Sequence, residues 1–535
     1  MSDQKYDFDR FSRRDFLYLT GASVAGLGLV GVPQPVFSAE AKKKYGGRLR
    51  VGERQGPTGL DVHKNQYVLE YLIYNLMYNA LTILGPLPDA KVYPDVAKSW
   101  EVSKDGREYL FLLREGVKFH HGKELDSGDV KYSIERVMNP ATRSPRASAF
   151  DKIESVQVVD KNRLKIRLKD TFGPFISKLT IQTCPIIPAG WEPTPTKPAP
   201  GTGPFSFKSM VINESVELVR FPQYWEVDEK AGERYPFVDS ITVTKIVDEM
   251  TRWTALQAGD VDYISAPPAN ITAKEILTPT PGIAIPPPVP VGVMCLYFNC
   301  AKAPFDNKKV RQAVAYAIDK KEVIKGALWG LGVECNNQFF LEGSPMYSPV
   351  KDREVDLAKA RQLLSEAGYP SGFKTEFFEF SHAQTLDTCN VMAAQLKKIG
   401  IEASIKIIDR APYEASMRKG DYAMSAILES IRLDPDDAYY YSLNSEAINM
   451  NNWSRYSNKE MDRLLAAGRK GVQWDQRAPY YKDVVELIKE DLPIYYISRP
   501  KTPAAYRTNV RGFEAGAGTW SAYYGGGFLR AWLDK

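Results

Sequence analysis

Two proline- and glycine-rich breaks, at residues 185–204 and 279–290, cut this 535-residue chain into roughly three parts. The first ends in Gly201-Thr202-Gly203-Pro204-Phe205, a composition that interrupts helix and strand alike. One hydrophobic core does not serve a chain of this length, so two or three domains are expected. An apolar fraction of 44% and a charged fraction of 25% describe an ordinary soluble globular protein.

Within these parts the periodicity is legible. Arg48–Val51 reads as an opening strand, and apolar residues recur at helical spacing from Leu69 to Leu81. Trp100–Arg107, with Asp105-Gly106 at its tip, predicts a hairpin whose second strand is Tyr109–Arg114. Asp126 and Ser127 are candidate caps for a helix running to Met138. Strands follow at Val156–Val159 and Arg163–Leu168. Beyond Asn299 the pattern is mixed α/β. Val310, Ala313, Val314, Ala317 and Ile318 make one apolar helical stripe, and Asp356 can cap Leu357–Ala367, with Gly368 ending that helix. Thr375–Phe380, a helix near Leu386–Ile399 and Glu402–Ile408 predict a βαβ unit. Ser457-Asn458-Lys459-Glu460 reads as a capping box, and Leu492–Ile497 as a late buried strand.

Arg13-Arg14 is followed by an uncharged, glycine-rich stretch, Tyr18–Phe37, and then by Ala39-Glu40-Ala41, an A-x-A cleavage pattern. That order resembles a twin-arginine export signal over residues 1–41. Such export carries folded protein, which suits unpaired thiols. The mature chain is expected to be soluble and periplasmic. Gly26–Gly31 fits GxGxxG, but no strand precedes it and it lies in the leader, so it is not a dinucleotide loop.

Composition removes several function classes. The net charge of +5 is small and interspersed, so no nucleic-acid stripe exists. The five cysteines are odd in number and include no CxxC, so no disulfide framework is expected. Cys295 and Cys300 lie five apart in one apparent strand and point to opposite faces, which disfavours zinc and leaves buried free thiols. There is no GxSxG, HExxH or Walker loop, and the only histidines are His63, His120, His121 and His382. Asp434, Asp436 and Asp437 do not have the spacing of a calcium loop. No cofactor and no metal are expected. The rival class, a secreted hydrolase or metal-binding enzyme on a related scaffold, has no motif behind it.

Ordered motifs run through the chain. They are Tyr93-Pro94-Asp95-Val96-Ala97-Lys98-Ser99-Trp100, Gly116-Val117-Lys118-Phe119-His120-His121-Gly122-Lys123, Gly201–Phe205, Ala255–Asp262, Phe298-Asn299 and Val310–Ala313. In that order they resemble the peptide/nickel class, family 5, of extracytoplasmic solute-binding proteins, the receptors of ABC importers. The resemblance implies an α/β, two-lobed periplasmic-binding-protein fold, type II and cluster C like, with a small inserted domain. Residues 46–90, 204–295 and 500–535 would form the first lobe, 91–203 the inserted domain and 296–499 the other lobe. It implies a monomer that closes on a small-molecule or short-peptide solute and delivers it to a permease/ATPase complex.

The same resemblance suggests site residues. Leu60-Asp61-Val62-His63-Lys64 is similar to a family loop that precedes cleft contacts, which makes Gln66 and Val68 candidates, with a surface loop end as the alternative. Peptide binders of the family place a Trp and an Asp before an acidic-Pro pair. Here Asp434-Pro435 is present and those two residues are not, which weighs against free-amine peptides. Glu429, Arg432 and Asp434 stand in that stretch, either as anchors for a zwitterionic or polar solute or as a solvated loop with an internal Arg–Asp pair. Asn451 and Trp453 fall where the family often places a cleft loop, Trp453 either stacking on solute or filling core. Tyr439-Tyr440-Tyr441 reads as packing.

Overall fold

The structure is a computed structural model and describes residues 45–65, 68–85, 91–228, 232–290, 292–430, 432, 434–513 and 527–534. Residues 1–44, which include the expected export leader, Gln66 and residues 514–526 lie outside the described residues.

Three large sheets organise the described chain. The first has seven strands in the order Ile283–Ala284, Ala504–Arg507, Tyr263–Ser265, Arg48–Glu53, Ser240–Lys245, Ser215–Arg220, Phe205–Val211. Its centre is parallel: Arg48–Glu53 runs with Ser240–Lys245 on one side and Tyr263–Ser265 on the other. Leu49 and Val51 are fully buried from this central strand, as parallel strands covered on both faces require.

The second sheet takes in Val289–Pro290, Ile494–Thr502, Val293–Phe298, Met424–Glu429, Phe373–Phe380 and Ile401–Ile408, with Gly332–Glu334 also paired to Ile494–Thr502. All six residues of Val293–Phe298 are buried, and its alternate side chains enter two different cores. The chain passes between the seven-stranded sheets twice, leaving the first after Ala284 and returning to it at Ala504.

The third sheet has four antiparallel strands, ordered Ala97–Val102, Glu108–Leu113, Arg163–Leu168, Ile153–Asp160. Helix Ser127–Met138 lays Val130, Ile134 and Val137 on its core, each no more than 1% exposed. Such burial stabilises by about 1.5–3 kcal/mol per side chain. Asp126 caps the helix, accepting from the backbone N–H of Gly128 and Asp129, while the Asp129 carboxylate accepts from the Asp126 N–H.

The βαβ unit forms as its periodicity predicts. Phe373–Phe380 and Ile401–Ile408 pair in parallel around helix Ala383–Lys397, which buries Cys389, Met392 and Leu396. A Cβ on Gly372, whose φ is +78°, would stand 1.9 Å from the Gly400 oxygen, so only glycine allows the strands to start this close.

Some expectations shift. The helix predicted to reach Leu81 is Val68–Met77, because the Gly203 N–H takes the Met77 carbonyl at 2.9 Å and Thr82–Leu84 leaves to pair with Val92–Pro94. Helix Lys459–Gly468 is capped by Asn458 rather than by Ser457; the Asn458 side chain accepts from the N–H groups of Glu460 and Met461. Cys300 lies beyond its strand, half-buried, whereas Cys184, Cys295, Cys335 and Cys389 are buried, and all five thiols are free.

Candidate functional site

In open α/β sheets, ligands sit outside the carboxyl ends of parallel strands, where loops diverge and backbone dipoles point outward. The first sheet ends there with Arg54, directly after Arg48–Glu53. Arg252 ties this rim together: its guanidinium donates to the carbonyls of Ile246 (2.7 Å), Val247 (2.8 Å) and Ala266 (3.1 Å). The second sheet ends with His382 after Phe373–Phe380, Arg410 after Ile401–Ile408, and Glu429 at the close of Met424–Glu429.

The two rims face one another. The His382 imidazole is held below its ordinary pKa first by burial, then by the positive charges of Arg54 from the first sheet and Arg410 from the second. Arg410 lies over the Phe380 ring at 5.3 Å, and that ring is 6.0 Å from His382. The Nδ1 of His382 is buried with no hydrogen-bond partner.

Glu429 anchors a second group on the same rim. It accepts from the Tyr297 hydroxyl at 2.9 Å and from Arg432 at 3.1 Å. Tyr297 in turn packs against Trp453, with ring centroids 6.2 Å apart. The Arg432 side chain remains 43% exposed, so its guanidinium is free to meet a solute while Glu429 fixes its position. Trp453 donates its indole N–H to the Met450 carbonyl at 3.2 Å and is half-buried against the second-lobe core.

The remaining candidates lie elsewhere. Asp434 is 3% exposed and paired with Arg477, both oxygens engaged, so it belongs to the lobe interior. Its carboxyl sits below the ordinary range because the Arg477 charge and hydrogen bonds outweigh desolvation. Asn451 is exposed and bonds through its backbone to Ala447. Val68 opens helix Val68–Met77. In the loop before it, Asp61 pairs with Arg136 of the capped helix at 2.9 and 3.0 Å, and His63 donates to the Pro185 carbonyl while accepting from Arg136. That loop joins the first lobe to the four-stranded sheet. His120 likewise bridges to Gly201 and Gly203 through both ring nitrogens.

The four-stranded unit also touches the second lobe. Lys178 pairs with Asp437, the Gly173 N–H donates to the Arg469 carbonyl at 2.8 Å, and a Cβ on Gly173 would meet the Gly471 oxygen at 1.9 Å. Arg469 pairs with Asp436 at 2.7 Å and lies over Tyr440. Each of Asp434, Asp436 and Asp437 therefore has its own basic partner. Among the described residues no group of three or more His, Cys, Asp or Glu is placed to hold a metal ion. A pocket lined by Asn75, Asn79, Asp95, Ile181, Tyr224 and Leu529 lies where the first lobe meets the four-stranded unit and takes no residue from the second sheet.

Sequence reasoning did not single out Arg54, Arg410 or Tyr297. The first two were findable, since each follows a predicted strand at its carboxyl end. Tyr297 was not, because its link to Glu429 spans 132 residues.

Two α/β lobes whose strand ends face each other, with charged and aromatic side chains on the facing rims, define a solute-binding receptor. The comparisons agree. The chain belongs to the bacterial extracellular solute-binding proteins, family 5, whose description "Bacterial extracellular solute-binding proteins, family 5 Middle" matches residues 91–451. It is 29% identical to heme-binding protein A of Haemophilus influenzae over 467 residues, covering 81% of this chain and 84% of that one. It is 28% identical to glutathione-binding protein GsiB of Pectobacterium atrosepticum over 490 residues, covering 85% and 89%. Among solved structures it matches the periplasmic binding protein DppA of Helicobacter pylori in complex with the peptide STSA, at a TM-score of 0.75 and 25% identity over 92% of this chain and 99% of that one. The protein is a substrate-binding component of an ABC importer. The family is one of binding proteins that serve permease complexes. Among the described residues, no helix is long and apolar enough to cross a membrane.

Proposed function

We propose that the chain captures a peptide-like or other small polar solute between its two seven-stranded lobes and hands it over chemically unchanged. The observation that carries this reading is the opposition of Arg54 on one rim to His382 and Arg410 on the other. Arg54 from one sheet and Arg410 from the other both act on His382, and the exposed Arg432 stands on the same sheet end. The two passages of the chain between the sheets, after Ala284 and before Ala504, act as the hinge. Closure shifts the population toward the form that docks on the permease. The leader over residues 1–41 directs twin-arginine export, and the mature chain works as a periplasmic monomer.

Glutathione, heme and peptides are the first solutes to test, since those are named for the relatives and the structural match. A thermal-shift screen should also include opine-like compounds, oligosaccharides and metal chelates. The expected result is a raised melting temperature with one compound class, and mass spectrometry showing that compound intact afterwards. Conversion of the compound would replace this reading with the hydrolytic one. Arg432→Ala should weaken the stabilising compound about 10- to 100-fold, the value of one charge-assisted bond, without altering the far-UV spectrum. Unchanged affinity removes Arg432 from the site.

A further inference from the structure

The strand Ile494–Thr502 carries an arginine that the lobe does not neutralise. Arg499 is 4% exposed. It donates to the Gly292 carbonyl at 3.3 Å and lies over the Phe339 ring at 5.4 Å. Its Nε has no partner. Burial lowers its pKa, and the charged-group effects that follow come from Cys335, Cys295, Tyr439 and Tyr496, thiols and phenols. Of the similarly buried arginines, Arg136 and Arg477 each hold a carboxylate in a bidentate pair, and Arg252 and Arg311 each donate to three backbone carbonyls, whereas Arg499 donates to one. A buried guanidinium without an anion is costly, and such groups are normally paired.

A bulge aims this side chain. Tyr496 and Arg499 are three residues apart, so regular alternation would send them to opposite faces. The register instead jumps, Cys295 opposing Tyr496 but Met294 opposing Ser498. The extra residue, Ile497, returns Arg499 to the face that carries Cys295, Tyr297 and Glu429. Cys295 accordingly feels the charges of both Glu429 and Arg499.

A second unpartnered group lies in the loop between Cys335 and Phe339, both ends of which bear on Arg499. Its midpoint is Asn337, which is 0% exposed, has a φ of +50°, and leaves both its amide oxygen and its amide nitrogen without a hydrogen bond. Buried polar groups are satisfied as a rule, and each exception asks for a missing partner.

We propose that Arg499 and Asn337 form a buried anion subsite on the floor of the second lobe, built to take a carboxylate of the carried solute. A carboxylate offers acceptors to the two orphaned donors, the Arg499 Nε–H and the Asn337 amide N–H, and leaves the Asn337 oxygen for a donor elsewhere on the solute. The assignment rests on the importer reading and narrows it to anionic or zwitterionic solutes. A free inorganic anion has the same chemistry and is the alternative source.

Crystals of the wild-type protein and of Arg499→Met are soaked in sodium bromide, and melting temperatures are taken in bromide and in sodium HEPES at matched ionic strength. Anomalous bromide density beside the wild-type guanidinium, absent from Arg499→Met, is expected, as is a bromide-dependent rise in melting temperature confined to wild type. Density there for a co-purified carboxylate supports the subsite equally. Glutathione and the dipeptide Met-Leu are then added, each also as its carboxamide. Displacement of bromide by the acid but not by the amide identifies the solute carboxylate, with affinity falling at least about 30-fold in Arg499→Met. Bromide that neither probe displaces identifies a free anion. An empty guanidinium and identical melts in both salts overturn the subsite. A probe that stabilises wild type and Arg499→Met alike also overturns it, while leaving the importer reading intact. Arg499→Lys controls for folding, since it keeps the charge but loses the two-pronged geometry.

Discussion

Asp434→Asn should cost the second lobe about 3–5 kcal/mol, because it leaves the Arg477 guanidinium charged, buried and unmatched. Both side chains of the pair are 5% exposed. Arg477 also donates to the Gly468 carbonyl at 2.8 Å and lies near the Trp474 and Tyr481 rings, so it cannot swing out to water when its partner is lost. The pair ties the turn at Asp436–Tyr440 to the long helix Trp474–Asp491, two elements that otherwise meet mainly through aromatic contacts. The Glu429–Arg432 pair, whose arginine is 43% exposed, offers the contrast. There Arg432→Ala should cost about 1 kcal/mol, because Arg432 is already largely hydrated and Glu429 keeps the Tyr297 hydroxyl. Urea unfolding followed by tyrosine and tryptophan fluorescence measures both. Asp434→Leu combined with Arg477→Met should recover most of the loss, since removing both charges removes the unmatched one. Equal costs for the buried and exposed pairs would show that Asp434 is hydrated after all. The pH dependence has a definite sign. The folded pKa of Asp434 is lowered, so the pair stabilises above the ordinary carboxylate pKa and its contribution disappears as pH falls through the folded value.

Local periodicity carried most of the fold into view. Asp126, Asp356 and the βαβ unit at 373–408 are where the spacing of caps and apolar residues places them, because those signals act within a few residues. The site was harder to read for a physical reason. Glu429, Arg432 and Asp434 are neighbours in sequence and look like one charged loop. The structure separates them, because Asp434 finds its cation 43 residues later in Arg477 while Glu429 finds a hydroxyl 132 residues earlier in Tyr297. Nothing in the local pattern distinguishes those fates. Arg499 is subtler still. Alternation assigns it to the wrong face, and only the bulge at Ile497, a property of two paired strands, corrects it. Packing period is local information, whereas pairing between segments far apart in sequence is not.

Glu379→Gln should remove the Glu379 share of the stability that the wild-type protein loses between about pH 4.5 and pH 7. Glu379 is fully buried on strand Phe373–Phe380. Burial pushes its carboxyl up to about 7, against the hydrogen bonds it accepts from the Ala426 N–H at 2.6 Å, from Cys389 and from Ser425. No salt bridge reaches it from the described residues, and its second oxygen has no partner. The folded pKa is therefore raised above the unfolded value. In that case the native state holds a proton that the unfolded chain has released, and stability falls as pH climbs through the interval, then levels off above the folded pKa. The size is about 3 kcal/mol for this group. Glutamine mimics the protonated acid: it keeps the acceptor facing Ala426 and never ionises. The variant should match wild type near pH 4.5 and exceed it by most of that amount at pH 8. Asp436, pushed up to about 7 by burial, tilts both proteins in the same direction, so the difference between their unfolding free energies isolates Glu379. Parallel curves across the whole range would mean that water or a conformational change ionises Glu379 without cost. Because His382 begins the rim three residues further along the same chain segment, that result would also reveal solvent reaching beneath the rim.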